Sequence, residues 1–283
     1  MIGMSDPWMI INIILLFVLI FFGPRLMLYQ TISVLEAKAR SYDEMSKNSR
    51  KVITKKLEGG AKLSKKDLTA SMDRIMEYFI IEPDTTEPTG LAKKVRELTI
   101  RHDKKLDLFL EDISPGLSEN ERRNLAGALI SNIGIYQITK TIRHFIEMIK
   151  ESKNFQIGMI LQMQLPMIDK QVKALYASVP AFSGAIPVGD CIGPLYAANL
   201  IGTAKTSEIT EGTVVAQKRI EGKEVFILKA KGPGANLGQI DEAIRKISSK
   251  NTIEKVITID ASGKLEGEKT GTVAEGIGFA MGP

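Results

Sequence analysis

Three short segments decide how the C-terminal part of this chain folds: Val188-Gly189-Asp190-Cys191-Ile192-Gly193-Pro194, Lys231-Gly232-Pro233-Gly234-Ala235-Asn236-Leu237-Gly238-Gln239 and Val256-Ile257-Thr258-Ile259-Asp260-Ala261. The first and third each set an aspartate where an apolar, strand-like run stops. The second is a glycine-rich turn that follows a strand and opens a helix. In an open α/β sheet the carboxyl ends of neighbouring strands line one crevice. Three such ends would gather Asp190 and Asp260 beside the backbone N–H groups of Gly232, Gly234, Gly238 and Gln239. No other place in the sequence looks like a site for chemistry.

Working outward, the composition changes after Ser178, where Pro180, Gly184 and Pro187 break the helical periodicity. Short β-branched runs follow at Thr213–Ala216, Val225–Leu228 and Val256–Ile259, and Glu221-Gly222-Lys223 between the first two predicts a hairpin. Helices are predicted over about Pro194–Ile201 and Leu237–Ser248. The alternation predicts an α/β domain over residues 179–283, with a mainly parallel sheet and one antiparallel addition. An apolar, glycine-rich ending at Gly282-Pro283 raises the expectation that the natural chain continues.

In order, the motifs are Asp190-x-x-Gly193-Pro194 and a helix, then a strand with Gly232-Pro233-Gly234-x-x-x-Gly238-Gln239, and last Ile259-Asp260-Ala261 ahead of Thr272-Val273-Ala274-Glu275-Gly276-Ile277-Gly278. Over about residues 180–283 this order resembles the bacterial spore germination protease and its sporulation-protein relatives. The resemblance implies the phosphorylase/hydrolase-like α/β fold, shared with hydrogenase maturation endopeptidases. It also implies an atypical aspartic peptidase whose catalytic pair falls on Asp190 and Asp260, with a protein or peptide as substrate. Over its whole length the chain resembles an uncharacterised family of membrane-anchored archaeal proteins, which supplies no activity.

The chemistry of such a pair follows from electrostatics. Two carboxylates a few ångströms apart cannot both ionise cheaply, so one holds a proton and acts as acid while the other acts as base toward water. Glycines allow close backbone approach, and N–H groups at a helix N-terminus can stabilise an oxyanion. A turn or cap role before Pro194 accounts for Asp190 equally well. Asp260, at the end of a run expected to be buried, is harder to dismiss, because a buried carboxylate is costly unless paired.

Other chemistries fit less well. The nickel-dependent endopeptidases need a histidine with the acidic pair, and none occurs after His144. Cys191 has no histidine in its domain to generate a thiolate. The glycine loop is one residue longer than a dinucleotide fingerprint and comes late in the domain. There is no Gly-Lys-Ser/Thr phosphate loop, and neither a metal nor another cofactor is expected.

The N-terminal part reads differently. From Trp8 to Phe22 the chain is apolar except for Asn12. A helix from Pro7 to about Gln30 would rise roughly 35 Å, enough to cross a bilayer core of about 30 Å with Arg25 snorkelling outward. Pro24 is expected to kink or end it near the interface. A cleaved signal peptide is the competing reading, but residues 1–7 hold no Lys or Arg and no small-x-small site follows, so residues 1–30 are read as an uncleaved anchor.

The net charge of +5 has one source, because Glu36–Asp67 holds ten Lys or Arg against five acids. That places the basic excess beside the membrane, facing anionic lipid, and removes nucleic acid as the expected partner. The positive-inside rule then puts the N-terminus outside and the C-terminal bulk in the cytoplasm of a single-pass cell-membrane protein. The single cysteine, Cys191, suits a reducing compartment.

Residues 31–178 are read as a helical juxtamembrane region that binds a partner or holds the C-terminal domain above the membrane. Capping boxes at Ser64-x-x-Asp67 and Ser118-x-x-Glu121 open helices, and Ser114-Pro115-Gly116 stops one near Ile113. A helix from Phe155 to about Ser178 carries Pro166 and a kink is expected there. His102 and His144 lack a Glu-x-x-His partner and are read as ordinary surface or core residues. Met159, Met163 and Met167 share one helical face and are read as core packing. The two functional expectations are a membrane-tethered hydrolase using Asp190 and Asp260, and a non-catalytic adaptor or assembly factor.

Overall fold

Helix α1 runs without a break from Pro7 to Glu58, 52 residues, so Pro24 does not end it. The computed structural model describes residues 7–78, 90–186, 191–232, 238–260, 267 and 269–276. Along that course follow α2 (Lys65–Met76), α3 (Leu91–Ile113), α4 (Glu119–Ser152), α5 (Phe155–Ser183) and α6 (Ile192–Ile201). Then come strands β1 (Thr206–Thr210), β2 (Thr213–Ile220) and β3 (Lys223–Ala230), and last α7 (Ile240–Ser248).

Packing explains why α1 continues. Proline removes one backbone hydrogen bond, a loss that spanning helices tolerate. Beyond it, Thr31, Leu35, Ala39, Tyr42, Ser46 and Ser49 are buried at helical spacing, and Ile53 and Leu57 extend the row. Each further turn is therefore held by tertiary contact. α1 is the one helix among the described residues long and apolar enough to span a membrane. Its most apolar window has a mean hydropathy of 2.3 and none of it is buried.

The described residues divide into two compact units. The first comprises Met1–Gly59, Leu63–Tyr78 and Ala128–Pro180, that is α1, α2 and most of α4 and α5. Its core joins Leu35 and Tyr42 of α1, Ile142 and Ile149 of α4, and Leu165 and Val172 of α5. Polar contacts fix the directions. Thr31 donates to Gln162 at 3.1 Å and Lys38 to Asp169 at 2.7 Å, so α5 runs parallel to α1. Lys150 meets Glu36 at 2.9 Å and Arg143 meets Asp43 at 3.4 Å, so α4 runs antiparallel.

Asp169 closes this bundle chemically. It accepts from Lys173 and Lys38, each at 2.7 Å, and from the Tyr42 hydroxyl at 3.2 Å. These bonds, the one from Lys173 foremost, hold its pKa down at about 2, while burial and the Asp169 charge push the Tyr42 hydroxyl up. A carboxyl whose folded pKa lies below its unfolded value binds fewer protons in the native state. Its stabilisation is complete above about pH 4 and is lost as the pH falls toward 2. Urea midpoints of the full chain in detergent should fall over that window, and Asp169→Asn should remove part of the slope. An unchanged slope would refute the assignment.

The second unit comprises Gly60–Lys62, Phe79–Gly127 and Ala181–Pro283. Both predicted caps form: Asp67 N–H donates to Ser64 Oγ at 3.2 Å in the first unit, and here the full reciprocal box closes, Glu121 N–H donating to Ser118 Oγ at 3.3 Å and Ser118 N–H to Glu121 at 2.9 Å. α3 ends at Ile113, ahead of the breaker at Ser114-Pro115-Gly116. Its buried Leu106, Leu110 and Ile113 mark the inward face.

The sheet corrects the expectation of a mainly parallel α/β fold. Among the described residues it has three strands in the order β1-β2-β3, and both pairings are antiparallel. The connections are two residues each, Glu211-Gly212 and Glu221-Gly222, and a loop that short joins only antiparallel neighbours. At the predicted hairpin Glu221 and Gly222 both take positive φ, 49° and 79°, as a type I′ turn requires. The parallel reading depended on Val256–Ile259 as a further strand. Among the described residues that segment pairs with no strand, and Val256, Ile257 and Ile259 are exposed. α6 covers Ala216 and Ile227 of the sheet through Ile201, and α7 packs on β1 and β3.

Candidate functional site

Helix α6 opens at Cys191, which takes a left-handed φ of 57° and offers no side-chain cap. Two residues later the chain passes against the 256–260 segment. A Cβ on Gly193 would lie 2.5 Å from the Ile259 carbonyl oxygen, a separation that only glycine permits. The chain just after Asp190 and the chain just before Asp260 therefore touch. Asp260 itself is exposed, at the end of an exposed segment that is assigned to no strand. The expectation of a costly buried carboxylate does not hold for it. Asp190 and Gly234 lie outside the described residues.

The described residues at either end of the glycine loop are fastened to the sheet. Gly238 has a φ of 70°, and a Cβ there would sit 2.5 Å from the Gly212 carbonyl oxygen and closer still to Thr213 Oγ1. Gln239 N–H donates to Thr213 Oγ1 at 2.8 Å, and the Thr210 hydroxyl donates to the Gln239 carbonyl at 3.1 Å. Lys231 N–H donates to Gly212 O at 2.8 Å. Both ends of the loop are thus tied to the β1–β2 turn. Gly232 also has a positive φ, 66°, but nothing lies within 4 Å of its Cβ position. In sequence Gly238 and Gln239 read as ligand-facing; in the fold their backbones face a hairpin, and with no side chain on Gly238 the approach is possible.

One charged cluster borders this turn. Glu208 accepts from Lys231 at 2.8 Å and from Gly212 N–H at 2.9 Å. The Lys231 bond, then the Gly212 amide, lowers the Glu208 pKa, and Glu208 in turn raises that of Lys231. The pair pins the turn from the solvent side and needs no ligand to account for it. Among the described residues no three His, Cys, Asp or Glu side chains gather as metal ligands.

Sequence reasoning missed Gly193 and the Thr210–Thr213 turn. Gly193 was visible as part of the Asp-x-x-Gly-Pro motif, but only the fold reveals the carbonyl that excludes a side chain.

With that geometry in hand, comparison with known proteins is informative about family and silent about activity. Residues 9–185 match the N-terminal domain of a family described as proteins of unknown function, DUF1512. Residues 188–283 match the C-terminal domain of the same family. The chain belongs to the DUF1512 family. No curated protein and no solved structure matches it. The DUF1512 N-terminal match covers α1 to α5 and the C-terminal match the sheet with α6 and α7, so both aspartates fall in the second match.

Proposed function

We propose that the chain is a single-pass membrane protein acting as a non-catalytic scaffold or adaptor, with its C-terminal bulk in the cytoplasm. One observation carries this reading: α1 is at once the apolar, exposed span and the central helix of the first unit's core. The anchor and the bundle are one element, which suits a protein that holds partners at a membrane. Of the basic excess of Glu36–Asp67, Lys38 and Arg40 lie within about 15 Å of the end of the span along α1, and the unbroken helix carries the rest farther from the headgroups. The helical region supplies surface for a protein complex. Asp260 on an exposed segment, with the described residues at both ends of the glycine turn fastened to a hairpin, fits a binding module better than a catalytic crevice.

A hydrolase using Asp190 and Asp260 is the second reading. Its support is the close approach of Gly193 to Ile259, together with the motif order that resembles the germination protease. One experiment separates the two. Purified full-length chain is offered peptide and protein libraries between pH 4 and 8, and the Asp190→Asn, Asp260→Asn double variant is tested for cleavage and for function in cells. The scaffold reading expects no cleavage and a fully functional double variant. Cleavage that the double variant lacks would overturn it. Alkaline carbonate should leave the chain in the membrane, and a protease added outside should spare everything beyond the span.

A further inference from the structure

The outward face of α5 is apolar and uncovered. Ile160, Met163 and Met167 are 58%, 79% and 69% exposed, which corrects the reading of the methionine stripe as core. On the opposite face Gly158 meets Thr31 of α1 and Ile149 of α4, and Leu165 and Val172 enter the core. Single exposed hydrophobic residues are normal, whereas a contiguous stripe marks an interaction site.

The spacing says what kind. Ile160, Met163, Met167, Lys170, Ala174 and Ala177 are all exposed and follow one another at alternate steps of three and four residues, the seam of a coiled coil. From Asn154 to Ile168 there is no ionisable side chain, so two copies of this stretch meet without like-charge repulsion. Lys170 is the one charged seam position, and its long apolar stem can lie along a seam while the ammonium reaches water. Methionine side chains adapt their shape readily to an apolar partner.

Direction selects the partner. α5 runs parallel to α1, as the Thr31–Gln162 and Lys38–Asp169 bonds show. With α1 spanning a bilayer, every copy in that membrane has the same orientation, and α5 follows the membrane normal in each. Such copies can pair only side by side, about an axis along the normal. That axis sets α5 against its own equivalent in parallel, the arrangement in which equivalent seam residues meet. We propose that a second copy of this chain covers the outward face of α5, forming a parallel two-stranded seam at Ile160, Met163 and Met167 next to the bilayer. The proposal rests on the membrane-anchored reading.

The test uses the full chain in native membranes, with Cys191→Ser removing the single cysteine. Met163→Cys, Met167→Cys and, away from the seam on α4, Glu147→Cys are each oxidised with copper phenanthroline. The two seam positions should give a covalent product of twice the monomer mass, roughly tenfold more than Glu147→Cys, because seam residues of a parallel pair face each other. Adding Met163→Lys and Met167→Lys to an Ile160→Cys chain should abolish its dimer. These side chains are exposed, so the variants keep the core, and unchanged thermal melts verify that. No dimer, equal dimer at Glu147→Cys, or a product of another mass, meaning a different membrane protein on this face, would overturn the proposal. Carbonate extraction of the same membranes keeps the two readings apart. Release of the chain defeats the anchor; retention without a dimer defeats the seam alone.

Discussion

Gly238→Ala is expected to destabilise the sheet-bearing unit by about 3 kcal/mol, the sum of left-handed backbone strain and forced overpacking. The new Cβ would sit 2.5 Å from a main-chain oxygen, that of Gly212, which cannot swing away as a side chain can. The β1–β2 turn must move instead. Its movement breaks the bond from Gln239 N–H to Thr213 Oγ1 and the one from Lys231 N–H to Gly212 O. Hydrogen exchange at those two amides should rise together with the fall in stability. Gly232→Ala is the control, since its φ is positive but its Cβ position is empty. It should cost only about 1 kcal/mol of backbone strain. Equal effects at the two glycines would refute a packing role for Gly238.

Tyr42→Ala should be as damaging in the other unit, at about 3–5 kcal/mol, by analogy with other large aromatic truncations in cores. Tyr42 is fully buried, and its ring sits in the core cluster shared by α1, α4 and α5. Removing it leaves a cavity on the central helix and takes one donor from Asp169. For a unit of this size the apparent Tm should drop by roughly 10–20 °C. Tyr42→Phe keeps the ring and loses only the hydroxyl, so about 1 kcal/mol is expected. A melt of Tyr42→Ala that matches the wild-type chain would mean that α1 does not organise the bundle.

What could be read from the sequence was local. Ser64-x-x-Asp67 and Ser118-x-x-Glu121 specify their own hydrogen bonds, and Glu221-Gly222 specifies its own turn, so those features were predictable without the fold. β1 escaped notice because Thr206-Ser207-Glu208-Ile209-Thr210 is largely polar and its first three residues face water. Val256–Ile259 misled for the opposite reason. Its β-branched residues suit a strand, but a strand exists only where a neighbour offers hydrogen bonds, and composition does not reveal neighbours. Pro24 was read by its local cost, which the row of buried residues from Thr31 onward outweighs. Periodicity correctly placed Met159, Met163 and Met167 on one face; whether that face is covered depends on other helices. At the candidate site the sequence identified the glycines by type, and the fold assigned Gly193 and Gly238 their reasons. Asp190, on which the hydrolase reading most depends, lies outside the described residues.

The unbroken course of α1 makes the anchor a lever. From Tyr29 to Glu58 the helix extends about 45 Å at 1.5 Å per residue. Spanning helices tilt readily with bilayer thickness, over a range of roughly 0–40°. In the membrane-anchored reading, a change of tilt of about 10° would carry Glu58 sideways by about 8 Å, taking the packed bundle with it. Thickness or tension in the lipid then becomes displacement of a protein surface, transmitted by a single helix without any hinge loop between.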